Sequence, residues 1–379
     1  MHVIEGDTTA DTLIVGGGII GLSIAYELSE RGQLVTVVER DRCGRAASWA
    51  GVGILPPVAQ REIDDPLEQL RTLSHRLLAE WAVRLHSETG IDTGWRACGG
   101  IYLATTAGEA ATLAANQLWW DELGIEAASW TASQLAKHEP SLGPIAQSGS
   151  LRAIWWLPQE CQLRTPHYVR ALVAACRQRG VRIIENCPVT DIERSSQSAV
   201  AVETPLGRLS AKNICLTAGP WTRQLLEPLG VLTGILPIRG QVLMFHPPRP
   251  LLSAIVNEGH RYLVPRVDGR VLVGSNEEEV GFVCETTDEV LAELRNWAYR
   301  ILPALHSAPI ESTWAGLRPG SFDSYPYIGR LPECPNLYVA AGHYRAGIHL
   351  SCGTAVVLAD LITTGRSDID LAPFRPGRG

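Results

Sequence analysis

The chain has 379 residues, 45% of them hydrophobic, and a net charge of -7; this suits a folded globular protein, and its length suggests two domains. Charges are interspersed with no basic stripe, which leaves nucleic-acid binding without electrostatic support, and no unbroken apolar run approaches the ~20 residues needed to span a bilayer. The nine cysteines form no CxxC pair and the N-terminus HVIEGDTTAD is acidic where a secretory signal would be basic and then apolar, so a reducing cytoplasm is expected.

The first element is TLIVGGGIIGLSIAYELSERGQLVTVVE, residues 12 to 39. An apolar strand runs into Gly16, Gly18 and Gly21, a helix carries Ala25 and Leu28 on one face, and Val35, Val37 and Val38 form a second strand closed by Glu39. This is a βαβ unit with a dinucleotide fingerprint. Gly16 permits the sharp turn, Gly18 removes a Cβ where a pyrophosphate approaches, and Gly21 lets the helix lie close to the sheet. The helix N-terminus offers unpaired amides and the positive end of its dipole to the phosphates. Glu39 is placed to accept from a ribose 2′-hydroxyl and would repel a 2′-phosphate.

Residues 40 to 57, RDRCGRAASWAGVGILPP, are rich in small side chains that let backbone pass close to a long ligand. Residues 66 to 89 show helical periodicity; His75 and His86 lie on or beside that helix without a partner at metal-ligand spacing, so surface or capping roles are expected, and no metal site is read. A strand follows at 99 to 104, helices at 107 to 123 and 131 to 137, and a turn-rich connection at 143 to 149. Residues 151 to 157 regain strand character, 165 to 184 give a helix opened by Thr165 and Pro166 and then a strand, and 186 to 209 give a small hairpin or meander. AKNICLTAGPWT returns to strand, Gly219 and helix, which is what the second half of a nucleotide-binding sheet offers. From Ile235 to Gly274 short strands separated by turns predict an antiparallel sheet, followed by a helix over 287 to 301 and a last segment that ends in a strand and a helix.

Taken together, VGGGIIGLSIAYELSERG, ASWAGVGIL, TAGPW, RYLVPR, WAGLRP, DSYPYIG and GHYRAGI occur in an order that resembles the FAD-dependent D-amino acid oxidase family, most closely its bacterial glycine oxidase branch linked to thiamine synthesis. The resemblance spans nearly the whole chain. It implies an α/β fold with an α+β insertion: a Rossmann-like FAD-binding domain (1–90, 150–232 and 308–379) interleaved with an antiparallel-sheet substrate domain (91–149 and 233–307). It implies that Ile19, Ile20, Glu39 and Arg40 bind the ADP end, that Ala47, Ser48, Val52, Gly53 and Ile54 face the flavin, and that Val189 meets the adenine. Gly219 belongs to the second nucleotide half, and His343, Tyr344, Arg345, Ala346, Gly347, Ile348 and His349 run beneath the isoalloxazine, where helix N-terminal amides near Gly347 and Ile348 can stabilise charge on the flavin.

The same resemblance makes Arg318 the clamp for a substrate carboxylate, Tyr262 a second carboxylate contact, and Arg345 a neighbour of that site. It implies a small amino acid as substrate, oxidised to an imine that hydrolyses to oxo acid and ammonia, with dioxygen or another electron acceptor closing the cycle. Dehydrogenase chemistry with a quinone-type acceptor and a non-catalytic flavin-binding subunit are the competing readings; homo-oligomerisation is left open. Two departures from the pattern matter. Glu277, Glu278 and Glu279 stand where a pocket wall is expected, with at least two of them expected in solvent. No cysteine lies between Gly320 and Pro326, where relatives of the sarcosine oxidase type attach flavin covalently, so noncovalent FAD is expected.

Overall fold

A computed structural model describes residues 10–195 and 198–378. Its first sheet has six strands in the order Tyr327–Leu331, Cys334–Ala341, Ala211–Leu216, Ala10–Val15, Val35–Val38, Arg182–Ile184. All neighbours are parallel except the first pair. Such a sheet must be covered on both faces, and the alternation of side chains shows how. Ile14, Val37 and Cys215 point into a core shared with the helices Ile19–Glu30, Pro66–Thr89, Thr165–Gln178 and Ser351–Thr364. Leu13, Val15, Val38, Ile214 and Leu216 point the other way, onto the meander Asp191–Ser195, Ser198–Thr204 and Gly207–Leu209.

The second sheet has eight strands in the order Ile310–Gly320, Leu236–Phe245, Val271–Gly274, Arg261–Pro265, Ile255–Glu258, Gly100–Ala104, Ala153–Leu157, Ala128–Ser129. One face packs Leu243, Leu263 and Val273 under the helix Asp288–Ile301 through Leu294, Trp297 and Ile301. The opposite face carries Val242, Tyr262, Val264 and Leu272 toward Val52 and Ile54 of the first part. The period of two therefore sends Leu263 into a core and its neighbour Tyr262 to the face between the two sheets.

Several expectations change. The second sheet is mixed rather than wholly antiparallel, because Ile255–Glu258 runs parallel to 100–103. Two strands that the division drawn from the sequence placed with the nucleotide-binding part, Ala153–Leu157 and Ile310–Gly320, hydrogen-bond into the second sheet. Alternation of apolar residues says that a segment is a strand but not which sheet takes it. The connection at 143 to 149 contains a short helix, Gly143–Gln147, with a proline in its first turn.

Candidate active site

A cavity of about 600 Å³ lies between the sheets, open at its rim, and falls in the usual range for a small-molecule site. It is lined at one end by the glycine turn and the residues after Glu39, in the middle by 44–48 and 50–54, and at the other end by Tyr262 and Arg318, with 343–349 running from the middle toward that end. Every residue singled out above as cofactor- or substrate-contacting lines it except Gly21, which sits behind the turn.

At the glycine end, Gly16 has φ +112°, and a Cβ there would fall 2.6 Å from Thr217 O. At Gly21 a Cβ would lie 2.1 Å from Gly16 O, so the helix and the turn approach through two missing side chains. Gly18 differs: a Cβ would meet only Ser48 Oγ, at 3.3 Å, because this residue faces the cavity. The helix Ile19–Glu30 has Gly18 as N-cap, no side-chain cap and no acid in its first turn, which leaves its positive end for an anion. Ser48 Oγ accepts from Ile19 N–H at 2.9 Å. Glu39 is tied to the turn, its Oε2 accepting from Gly17 N–H at 2.7 Å and its Oε1 from Asp41 N–H at 2.9 Å. That fixes the carboxylate at the tip of the strand, with lone pairs left for a ribose hydroxyl. Arg40 stacks over the Trp221 ring at 3.8 Å, and Val189 and Gly219 line the same end. This cradle, bare at Gly18 and with the positive end of the helix dipole turned toward it, fits the diphosphate and ribose of FAD.

The middle of the cavity is held from behind. Arg266 is buried, and its Nη2 donates to Val52 O at 2.6 Å while its Nη1 donates to Gln162 Oε1 at 2.8 Å and Leu163 O at 3.1 Å. Burial pushes this guanidinium down to about 10, helped by Arg164 and Arg96, so it stays cationic at neutral pH. Gly53 has φ +73°, and a Cβ there would fall 2.1 Å from Leu163 O. Trp314 Nε1 donates to Ala50 O at 3.1 Å, which pins the other side of the 50–54 loop.

Opposite this loop, His343 is buried with Nε2 at 3.0 Å from Thr354 Oγ1, and burial pushes it down to about 3. His349 is buried too, with its Nε2 at 3.0 Å from His75 Nδ1, and burial holds it well below the ordinary range. Both therefore face the cavity as neutral rings. His75 is not a surface or capping residue, as the sequence suggested, because the helix turns it onto His349. The helix proper begins at Ser351, so Gly347 and Ile348 lie in the turn before it, Gly347 already in helical conformation (φ -56°, ψ -35°).

At the far end, Arg318 Nη2 donates to Ser275 Oγ at 2.7 Å and Nη1 to Asn276 O at 3.2 Å. Neither acceptor is charged, so this guanidinium keeps its full charge toward the cavity. Gly240 makes room for it, since a Cβ there would fall 2.2 Å from Arg318 Nη2. Asn276 is fixed in turn: its Oδ1 accepts from Gln241 N–H at 2.8 Å and its Nδ2 donates to Glu278 Oε2 at 2.6 Å. Glu278 forms a fork with buried Arg239 (Nε to Oε2 2.9 Å, Nη2 to Oε1 3.0 Å), which pushes its carboxyl down to about 2. Glu277 pairs with Arg345 Nη1 at 2.7 Å, and Glu279 is exposed.

Three features carried no signal in the sequence. Arg266 stands in RYLVPR, yet nothing there says that it is buried. The Arg239–Glu278 fork joins the strand Leu236–Phe245 to the segment that follows Val271–Gly274. Glu160, fully buried behind the lining residues Tyr102 (2.6 Å) and Asn257 (3.2 Å), is pushed up to about 7 by burial.

The DAO family, described as FAD dependent oxidoreductase, matches residues 11–361. Glycine oxidase of Geobacillus kaustophilus is 33% identical over 366 residues, 96% of each chain. The bifunctional protein ThiO/ThiG of Nostoc sp. is 34% identical over 98% of this chain, which spans only 55% of that protein. The crystal structure of the Geobacillus kaustophilus glycine oxidase superposes with a TM-score of 0.92 at 32% identity, covering 98% of this chain and 99% of that one. A family match over most of the length, together with a cavity shaped for the diphosphate and ribose of FAD, establishes that the chain belongs to the DAO family and is an FAD-dependent oxidoreductase.

Proposed function

We propose that the protein oxidises glycine or another small amino acid, a D-amino acid or N-methyl amino acid included, to the oxo acid and ammonia or amine, with dioxygen reduced to hydrogen peroxide. The observation that carries this reading is Arg318, a cavity-lining guanidinium whose hydrogen-bond partners are all neutral. A planar fork held on two neutral acceptors is prepared for a bidentate carboxylate. FAD, held noncovalently by the glycine turn, Glu39 and the 50–54 loop, would supply the two-electron acceptor for the α-hydrogen.

The chain's own residues bind and orient. Arg318 fixes the carboxylate, the hydroxyl of Tyr262 adds a second contact, and the α-carbon is thereby aimed toward the face between the 50–54 loop and the 343–349 turn. Neutral His343 and His349 keep added positive charge away from a bound amine, which must itself be uncharged to react. Substrate deprotonation then makes turnover rise with pH toward the amine pKa. Nine free cysteines fit work in a reducing cytoplasm.

The test is a panel of glycine, sarcosine, and D- and L-alanine with the FAD-loaded protein under air. Peroxide formed in step with oxo acid supports the reading. Flavin that glycine reduces but oxygen does not reoxidise would replace the oxidase with a dehydrogenase, and no reduction by any amino acid would remove the proposal.

A further inference from the structure

The cations lining the substrate end are not equivalent. Arg261, Arg318 and Arg345 all line the cavity. Arg261 Nη2 lies 3.9 Å from Glu258 Oε2, and Arg345 Nη1 lies 2.7 Å from Glu277 Oε1. Among the described residues, Arg318 donates only to Ser275 Oγ and Asn276 O. Arg239 is close by but is matched by Glu278. His260, which also lines this end, is pushed down by burial and by Arg261 and Arg345, and so adds no charge at neutral pH. Glu258 is shared between Arg261 and Arg300, and among the described residues Arg318 is the one of these three lining arginines with no carboxylate partner.

We propose that Glu277 is a specificity-determining residue: by occupying Arg345 it limits the site to substrates with a single carboxylate and excludes those with a second one. The inference rests on Arg318 as the carboxylate anchor. Glu277 is well placed for this. It accepts from Arg345 and lies within the field of both Arg345 and Arg318. A ligand with two carboxylates would put its second charge beside a carboxylate already paired, and like charges in a shared site repel. With Glu277 made neutral, Arg345 is released as a second anion site on the same cavity. The pair is about two-fifths exposed on each side, so the expected effect is moderate.

The experiment titrates the FAD-loaded protein with acetate and with malonate and follows the perturbation of the flavin spectrum, which needs no turnover. In the wild type acetate binds and malonate binds more weakly. Glu277→Gln is expected to raise malonate affinity relative to acetate by about 10-fold, and Glu277→Gln with Arg345→Gln should return the ratio to that of the wild type. An acetate-to-malonate ratio unchanged by Glu277→Gln overturns the proposal, as does a gain that persists when Arg345 is removed. A thermal melt of each variant confirms the fold. If no amino acid is oxidised but the ratio shifts as stated, the oxidase reading fails and the charge selection stands; if glycine is oxidised and the ratio does not move, the reverse holds.

Discussion

At the glycine end of the cavity the ligand is met by backbone and by the absence of side chains, whereas at the Arg318 end it is met by charges that other charges hold in place. Gly16, Gly18 and Gly21 act through missing Cβ atoms, and the helix dipole needs no side chain to draw a phosphate. Arg318, by contrast, depends on Ser275, on Asn276, and through Asn276 on Gln241, Glu278 and Arg239. The first arrangement is local in sequence and serves any dinucleotide. The second is assembled from segments distant in sequence, and in the proposed function it holds the substrate carboxylate.

The comparison can be broken most severely at Gly16. Gly16→Val combines a Cβ 2.6 Å from Thr217 O with a backbone φ of +112° that valine resists. It should weaken FAD binding on the order of 100-fold, seen as a colourless protein whose circular dichroism is retained. At the other end, Gly240→Ala puts a methyl into the space of Arg318 Nη2. FAD should stay bound while KM for the amino acid rises about 10- to 100-fold. A matching loss of FAD would show that the two ends are not separable.

The smallest effect comes from the neutral ring between the two ends. His343 has its pKa lowered by burial from an ordinary 6.5 to about 3. The unfolded chain thus binds a proton more readily than the folded one throughout that window, so the contribution is complete above about pH 6.5 and is lost as pH falls toward 3. At about pH 5 the lost stability is about 2 kcal/mol. His343→Asn should flatten this part of the profile in thermal melts at about pH 8 and about pH 5. An equal slope in the variant would place the acid sensitivity elsewhere, in His349.

The same contrast governs what could be read from the chain. The βαβ unit was legible because its period, glycines and terminal acid are contiguous, and the parallel pairing of Ala10–Val15 with Val35–Val38 follows from it. Arg318 and Tyr262 were visible only through motifs that resemble a family, since a lone arginine or tyrosine on a strand carries no address. The membership of Ala153–Leu157 and Ile310–Gly320 in the second sheet was hidden, because strand pairing between distant segments is set by tertiary packing. Buried Arg266 was equally hidden: its partners are backbone carbonyls of Val52 and Leu163 and the side chain of Gln162, and backbone oxygens have no sequence signature. The three glutamates at 277 to 279 looked alike in sequence, yet one pairs at the rim, one holds the anchor loop and one faces solvent.

The most direct test of the account is anaerobic titration of the yellow, FAD-loaded protein with glycine, wild type beside Arg318→Leu. The account predicts that the wild-type flavin bleaches and that the variant keeps its FAD but needs at least about 100-fold more glycine, the loss expected when a charged partner is removed from its carboxylate. Bleaching of both proteins at the same glycine concentration would contradict it.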